Sequence, residues 1–184
     1  MNIEDIATQS SIQLTKSIVE NLLEKTYNDQ REINTEIIQL KRQFKTNPTK
    51  SEMGRFYREI KKTGTPHPND SLLMRFFKVK ETRSCSGVLP ISVITAPYPT
   101  YTNINGDKVT QQFSCKHDCA YCPRELDENG REKNARSYLS DEPTVARGLD
   151  NNYDAYKQFT SRAMQYYRNN HTVDKIELIV LGGT

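Results

Sequence analysis

The chain has 184 residues, Lys+Arg 26 against Asp+Glu 23, 35% hydrophobic residues and no Trp. With a mean hydropathy of -0.79 and no run near the roughly 20 apolar residues of a spanning helix, it excludes an integral helical membrane protein. The start MNIEDIATQSS carries two early acids and no apolar leader segment, so the expected location is the cytoplasm, with the nucleus open. The length suits one domain of about 150 residues with an appendage and falls short of the roughly 250 residues of a full (β/α)8 barrel.

Charge is uneven along the chain. Residues 1–37 carry 3 Lys/Arg against 7 Asp/Glu, residues 38–83 carry 12 against 4, and residues 84–184 carry 11 against 12. Ile12, Ile18, Val19, Leu22 and Leu23 fall near helical spacing, and Ile33, Ile37, Leu40 and Phe44 repeat it before Asn47-Pro48 stops the pattern. A third helix is predicted from about Ser51 to Lys62, with Met53, Phe56, Tyr57 and Ile60 inward and Gly64 and Pro66 beyond its end. A fourth begins after Pro68-Asn69-Asp70 with Leu72, Leu73, Phe76 and Phe77 as its stripe.

At Gly87 the texture changes. Val88 to Thr95 is short and β-branched, bounded by Gly87 and Pro97, which predicts a buried strand. From Ala96 to Ser140 no period is visible, and the stretch is expected to be a long functional loop. Asp141-Glu142-Pro143 opens a helix whose stripe is Tyr153, Tyr156, Phe159, Ala163, Tyr166 and Tyr167, and Ile176 to Leu181 forms a last strand ending at Gly182-Gly183-Thr184. The second half therefore reads as a βαβ unit with a parallel pair, in an α/β protein with a helical N-terminal region.

Three of the four cysteines, Cys115, Cys119 and Cys122, lie within eight residues in the spacing Cys-x3-Cys-x2-Cys. Such crowding points to metal or cluster ligation, not to a disulfide scaffold. Tetrahedral zinc needs a fourth ligand, which His117 or Cys85 could supply. A [4Fe–4S] cluster held by three thiolates instead leaves one iron open. The amino and carboxylate groups of S-adenosylmethionine (SAM) suit that position, and one-electron reduction then releases a 5′-deoxyadenosyl radical. Tyr121, directly before the third cysteine, either packs locally or forms an aromatic wall beside the adenosine.

Together with this spacing, several stretches resemble the catalytic subunit of Elongator, a tRNA-modifying radical SAM enzyme with an appended acetyltransferase-like domain. They are Lys80-Glu81-Thr82-Arg83-Ser84-Cys85-Ser86-Gly87-Val88, Ala120-Tyr121-Cys122-Pro123, Ser137-Tyr138, Glu142-Pro143-Thr144 with Arg147, Tyr153-Asp154 with Tyr156, and Val173-Asp174-Lys175-Ile176-Glu177 running into Leu181-Gly182-Gly183-Thr184. The likeness covers roughly residues 68–184, and the first 67 residues match only in character.

The resemblance implies the beginning of a partial TIM-like radical SAM barrel over residues 84–184, truncated after its second strand, behind a helical, partly basic region over residues 1–83. Cys115, Cys119 and Cys122 would hold the [4Fe–4S] cluster, while Tyr121, Gly182, Gly183 and Thr184 would meet SAM. The implied reaction is carboxymethylation of carbon 5 of the wobble uridine of tRNA, with acetyl-CoA as carbon source. Lys41, Arg42, Lys61, Lys62, Lys80 and Arg83 are the candidate contacts to tRNA phosphates, the alternative being a solvated helical face. Other Elongator-like subunits or the remainder of the enzyme are the further partners implied.

The family usually has Pro-Gly-Gly after the third cysteine, where this chain has Pro123-Arg124-Glu125, so the backbone there must differ or tolerate side chains. The acetyltransferase-like domain and most of the barrel are absent from these residues, which reads as an N-terminal part of a longer or split enzyme. The alternatives are a zinc- or Fe–S-containing RNA-binding module without turnover, a degenerate copy, and an interaction protein whose acidic first helices bind a partner.

Overall fold

The computed structural model describes residues 3–64, 67–111, 115, 117 and 119–182. The chain divides into two compact units, Met1–Gly87 with Gln165–Val173, and Val88–Met164 with Asp174–Thr184.

The first unit contains α1 (Ile3–Leu23), α2 (Gln30–Gln43), α3 (Lys50–Thr63), α4 (Asp70–Phe77) and a 3-10 turn (Glu81–Ser84). Their apolar stripes meet in one core of Ile18, Val19 and Leu22, Ile33, Ile37 and Leu40, Met53, Phe56 and Tyr57, and Leu73, Phe76 and Phe77. Burying a side chain of this size stabilises by about 1.5–3 kcal/mol, which is why the stripes and not helix propensity decide the arrangement. The helix starts are chemically marked. Asp29 accepts from the Arg31 and Glu32 amides at 2.7 and 2.9 Å, and Thr49 with Glu52 forms a reciprocal capping box.

α1 begins nine residues before Ile12, the first residue of its predicted stripe. Ile12 itself is 43% exposed. Gly54 is buried in α3 where a β-carbon would lie 2.1 Å from Asn170 Nδ2. That approach lets Asn170 donate to Phe77 O at 2.9 Å. His171 is buried, with Nδ1 at 2.9 Å from Ser84 Oγ and Nε2 at 2.8 Å from Val79 O, so the 3-10 turn is tied to the segment after the last helix.

In the second unit β1 (Leu89–Ile94) pairs in parallel with β4 (Ile176–Leu181), in the register Leu89↔Ile176 through Ile94↔Leu181. This is the parallel pair expected of a βαβ connection. α5 (Pro143–Asp150) lies on β1, with Val145 and Ile94 in the core and Gly148 against Ile94. From α6 (Ala155–Arg168), Gln158 is fully buried; it accepts from Ile94 N at 2.9 Å and donates to Ile94 O at 3.0 Å. A side-chain amide thus acts as a one-residue strand partner for β1. On β4, Leu178 and Val180 are 53% and 63% exposed.

Two expectations are corrected. The stretch 96–140 is not free of regular structure, because β2 (Thr100–Thr102) and β3 (Lys108–Thr110) form an antiparallel hairpin. Asn103 Oδ1 accepts from the Asn105 and Asp107 amides at 2.9 Å each, and Gly106 supplies φ +87. The single helix expected from Asp141 through Tyr167 is broken at Asn152 and Tyr153, which have φ +50 and +56. Tyr153 N donates to Gly148 O at 2.7 Å, closing α5, and its hydroxyl donates to Asn134 Oδ1 at 2.7 Å. The aromatic stripe is therefore split between roles, with Tyr166 buried and Tyr156 76% exposed.

Candidate functional site

The carboxyl ends of β1 and β4 lie side by side, where Thr95 N donates to Leu181 O at 3.0 Å. Gly182 follows with φ +98, and a β-carbon there would lie 2.3 Å from Thr95 Oγ1. Both the backbone conformation and the close approach therefore demand glycine. Thr95 Oγ1 is enclosed and has no hydrogen-bond partner among the described residues. Gly183 and Thr184, the other cofactor residues expected at this strand end, lie outside the described residues.

Between the hairpin and α5 runs the cysteine loop. Cys115, Cys119 and Cys122 are all free thiols at intermediate burial, and Cys122 N donates to Cys119 O at 3.0 Å, so a tight turn joins the last two. Tyr121 within that turn is 88% exposed. In chemistry this donor set fits a thiolate-held cluster: three reduced sulfurs, partly open, on one short loop. Among the described residues no three His, Cys, Asp or Glu side chains converge on one point.

The residues directly after the cysteines anchor the loop. Glu125 accepts from Lys133 Nζ at 3.0 Å, Asn134 Nδ2 at 2.8 Å, and Ser140 through both Oγ at 2.9 Å and N at 2.8 Å. The hydrogen bond from Lys133, followed by those from Ser140, holds the Glu125 carboxyl down at about 2. Arg124 Nε donates to Glu132 Oε1 at 2.7 Å. Neither Arg124 nor Glu125 has positive φ, so the positions where the family usually carries glycine take side chains here without strain. Thr95 and Glu132 are not among the residues singled out by sequence, and Glu125 appears there only as a departure from the family's glycine. Their partners lie 8 to 87 positions away, beyond the reach of spacing arguments.

The candidate RNA contacts all lie in the first unit and differ in availability. Lys41 donates to Asn47 Oδ1 at 2.9 Å. Lys61 pairs with Asp70 at 3.0 Å, which offsets its charge locally. Arg42 and Lys62, in the last turns of α2 and α3, are exposed. Lys80 and Arg83 share the 3-10 turn, where Arg83 N donates to Lys80 O at 3.1 Å and both side chains are exposed.

A parallel strand pair followed by a thiol loop is an α/β arrangement compatible with part of a radical SAM domain. No protein-family model matches the chain. Its relatives include a tRNA uridine(34) acetyltransferase from Methanocaldococcus infernus, 32% identical over 148 residues, or 73% of this chain and 24% of the relative. A second, from Methanocaldococcus jannaschii, is 28% identical over 97% of this chain and 30% of its own length. Elongator complex protein 3 of Schizosaccharomyces pombe is 34% identical over 61% of this chain and 19% of its own length. The chain belongs to this family of Elongator catalytic-subunit-like proteins and spans less than a third of the length of these curated relatives.

Proposed function

We propose that the chain forms the cluster-binding beginning of a radical SAM enzyme acting on uridine 34 of tRNA, the product being a carbon-5 carboxymethyl group derived from acetyl-CoA. The observation that carries this reading is the set of three free thiols, Cys115, Cys119 and Cys122, in a chain whose relatives are named for modification of that uridine. These thiols would hold three irons of a [4Fe–4S] cluster and leave the fourth for SAM. When bound, this cofactor pair supplies radical hydrogen abstraction. Residues 1–83 would serve as a tRNA-binding region, through Arg42, Lys62, Lys80 and Arg83 before Lys41 and Lys61, and residues 84–184 as the start of the barrel. The acetyl-CoA site is not assigned to residues of this chain, and the expected setting is the cytoplasm or nucleus.

The chain's own residues have defined tasks in this reading. Gly182 keeps the β4 end bare so that a ligand can approach its backbone, and Thr95 offers an unused hydroxyl beside it. Glu125 pins the segment after Cys122 to Ser140 and Asn134, fixing one end of the loop. Tyr121 presents an exposed ring. Anaerobic reconstitution with iron and sulfide, followed by electron paramagnetic resonance of the reduced protein with and without SAM, tests the reading. A cubane signal that shifts with SAM is expected, and is abolished in Cys115→Ala but kept in Cys85→Ala. A colourless, zinc-retaining protein would overturn it in favour of a binding module.

A further inference from the structure

Beside the hairpin lies a cleft of about 500 Å³ lined by Tyr98, Thr110, Arg124, Gly130, Arg131 and Glu132. That volume is within the range that holds small ligands. Its floor is a buried carboxylate. The Glu132 side chain is only 5% exposed; Oε1 is taken by Arg124, whereas Oε2 is enclosed with no partner among the described residues. A buried acceptor left unmet costs about 1–3 kcal/mol, so this oxygen calls for a donor. Tyr98 Oη already accepts from Glu132 N at 3.1 Å, and its own proton is therefore available to an incoming acceptor.

The rim is cationic and preorganised. Asp127 Oδ1 accepts from the Asn129 and Arg131 amides at 2.9 Å each, Asp127 N donates to Arg131 O at 2.8 Å, and Gly130 has φ +73. This closed turn fixes the backbone of Arg131, whose exposed side chain forms no ion pair with a described residue. Two guanidiniums against one carboxylate leave the cleft a net charge of +1. A bare anion would be repelled by Glu132, and a bare cation by Arg131 and Arg124. The complement is one molecule carrying an anionic group at one end and N–H donors at the other.

We propose that this cleft binds one nucleoside phosphate unit, with the phosphate on Arg131 and an N–H or amino group of the base on Glu132, as carboxylates accept from base edges. The unit is either a free nucleotide or one residue of an RNA strand. None of the lining residues is one of the three thiols, so the test needs no iron.

Titration calorimetry on the full chain would use the four common ribonucleoside 5′-monophosphates, the corresponding nucleosides, inorganic phosphate and a single-stranded heptaribonucleotide. At least one monophosphate is expected to bind ten-fold or more tighter than both its nucleoside and inorganic phosphate. Arg131→Ala, on an exposed turn, should weaken the monophosphate ten-fold or more while leaving the nucleoside unchanged. Tyr98→Phe should weaken it several-fold. Tighter binding of the heptamer, lost in Arg131→Ala, identifies the unit as a residue of RNA, and heptamer binding no tighter than the monophosphate identifies a free nucleotide. Equal binding of phosphate and monophosphates, wild-type affinity in Arg131→Ala, or no binding at millimolar concentrations would each overturn the proposal. A normal cluster signal alongside any of those results would leave the radical SAM reading standing, so the two can fail separately.

Discussion

Gln158 offers a sharp test of how the parallel pair is held. Its amide is fully buried and makes both of its described hydrogen bonds with Ile94, accepting one from N–H and donating one to C=O. Gln158→Leu keeps most of the volume and strands two enclosed backbone groups. Each costs about 1–3 kcal/mol when unmet, and added apolar burial returns about 1 kcal/mol. The expected loss is therefore about 1–5 kcal/mol, set against the 5–15 kcal/mol typical of a whole domain. Urea unfolding followed by circular dichroism measures the loss, and amide hydrogen exchange at Ile94 localises it. Gln158→Glu separates this reasoning from simple overpacking. When protonated, its carboxyl can both donate and accept as the amide does, whereas the buried anion cannot donate. Its folded pKa should be raised, so stability is kept below the unfolded value of about 4.3 and lost as pH rises through the folded value. A loss below about 0.5 kcal/mol in Gln158→Leu, with Ile94 exchange unchanged, would refute the strand-partner role.

Gly182→Ala meets both a φ of +98 and a contact of 2.3 Å with Thr95 Oγ1. It should lower the unfolding midpoint by an amount equivalent to about 1–3 kcal/mol, partly restored by Thr95→Ala in the double variant. Burial holds the His171 imidazole below its ordinary pKa. The unfolded chain therefore binds the extra proton first, so stability should fall as pH drops below about 6.5, and His171→Gln should flatten that limb in pH-dependent urea titrations. Glu125, held at about 2 by Lys133 and Ser140, contributes stability above its unfolded value that is lost as pH falls toward 2. Hydrogen exchange at Ser140 should follow that acid limb in the wild type and lose it in Glu125→Gln.

What was legible in the sequence follows from where each signal resides. α2, α3 and α4 expose one face and bury the other, so their stripes appear as a period. β1 and β4 are short apolar runs cut by Gly or Pro, and their parallel pairing follows from the helices between them. The break at Asn152 and Tyr153 was hidden because it depends on a tyrosine closing onto Gly148 and reaching Asn134, neither of which alters local periodicity. Gln158 was hidden for the same reason. A buried amide in a helix looks like any polar position until the strand it serves, 64 residues away, is in place. For the thiols the spacing was plain in the chain.

The replacement of a glycine pair by Arg124-Glu125 brings these levels together. Glycine at such positions gives a loop freedom, and that freedom must be removed when a ligand is bound. Here the same residues spend their side chains on fixed partners, Glu125 on Lys133, Asn134 and Ser140, and Arg124 on Glu132. The segment after Cys122 is thereby held by the chain's own side chains, at the cost of a path that must run where these partners allow. Because Glu132 is one of those partners, the path that anchors the loop also sets the floor of the cleft beside it. A substitution of Arg124 should consequently disturb nucleotide binding directly and loop order indirectly. Glu125→Gln should disturb loop order while leaving the cleft's own residues untouched. Comparing the two variants in the calorimetric and hydrogen-exchange assays separates anchoring from recognition.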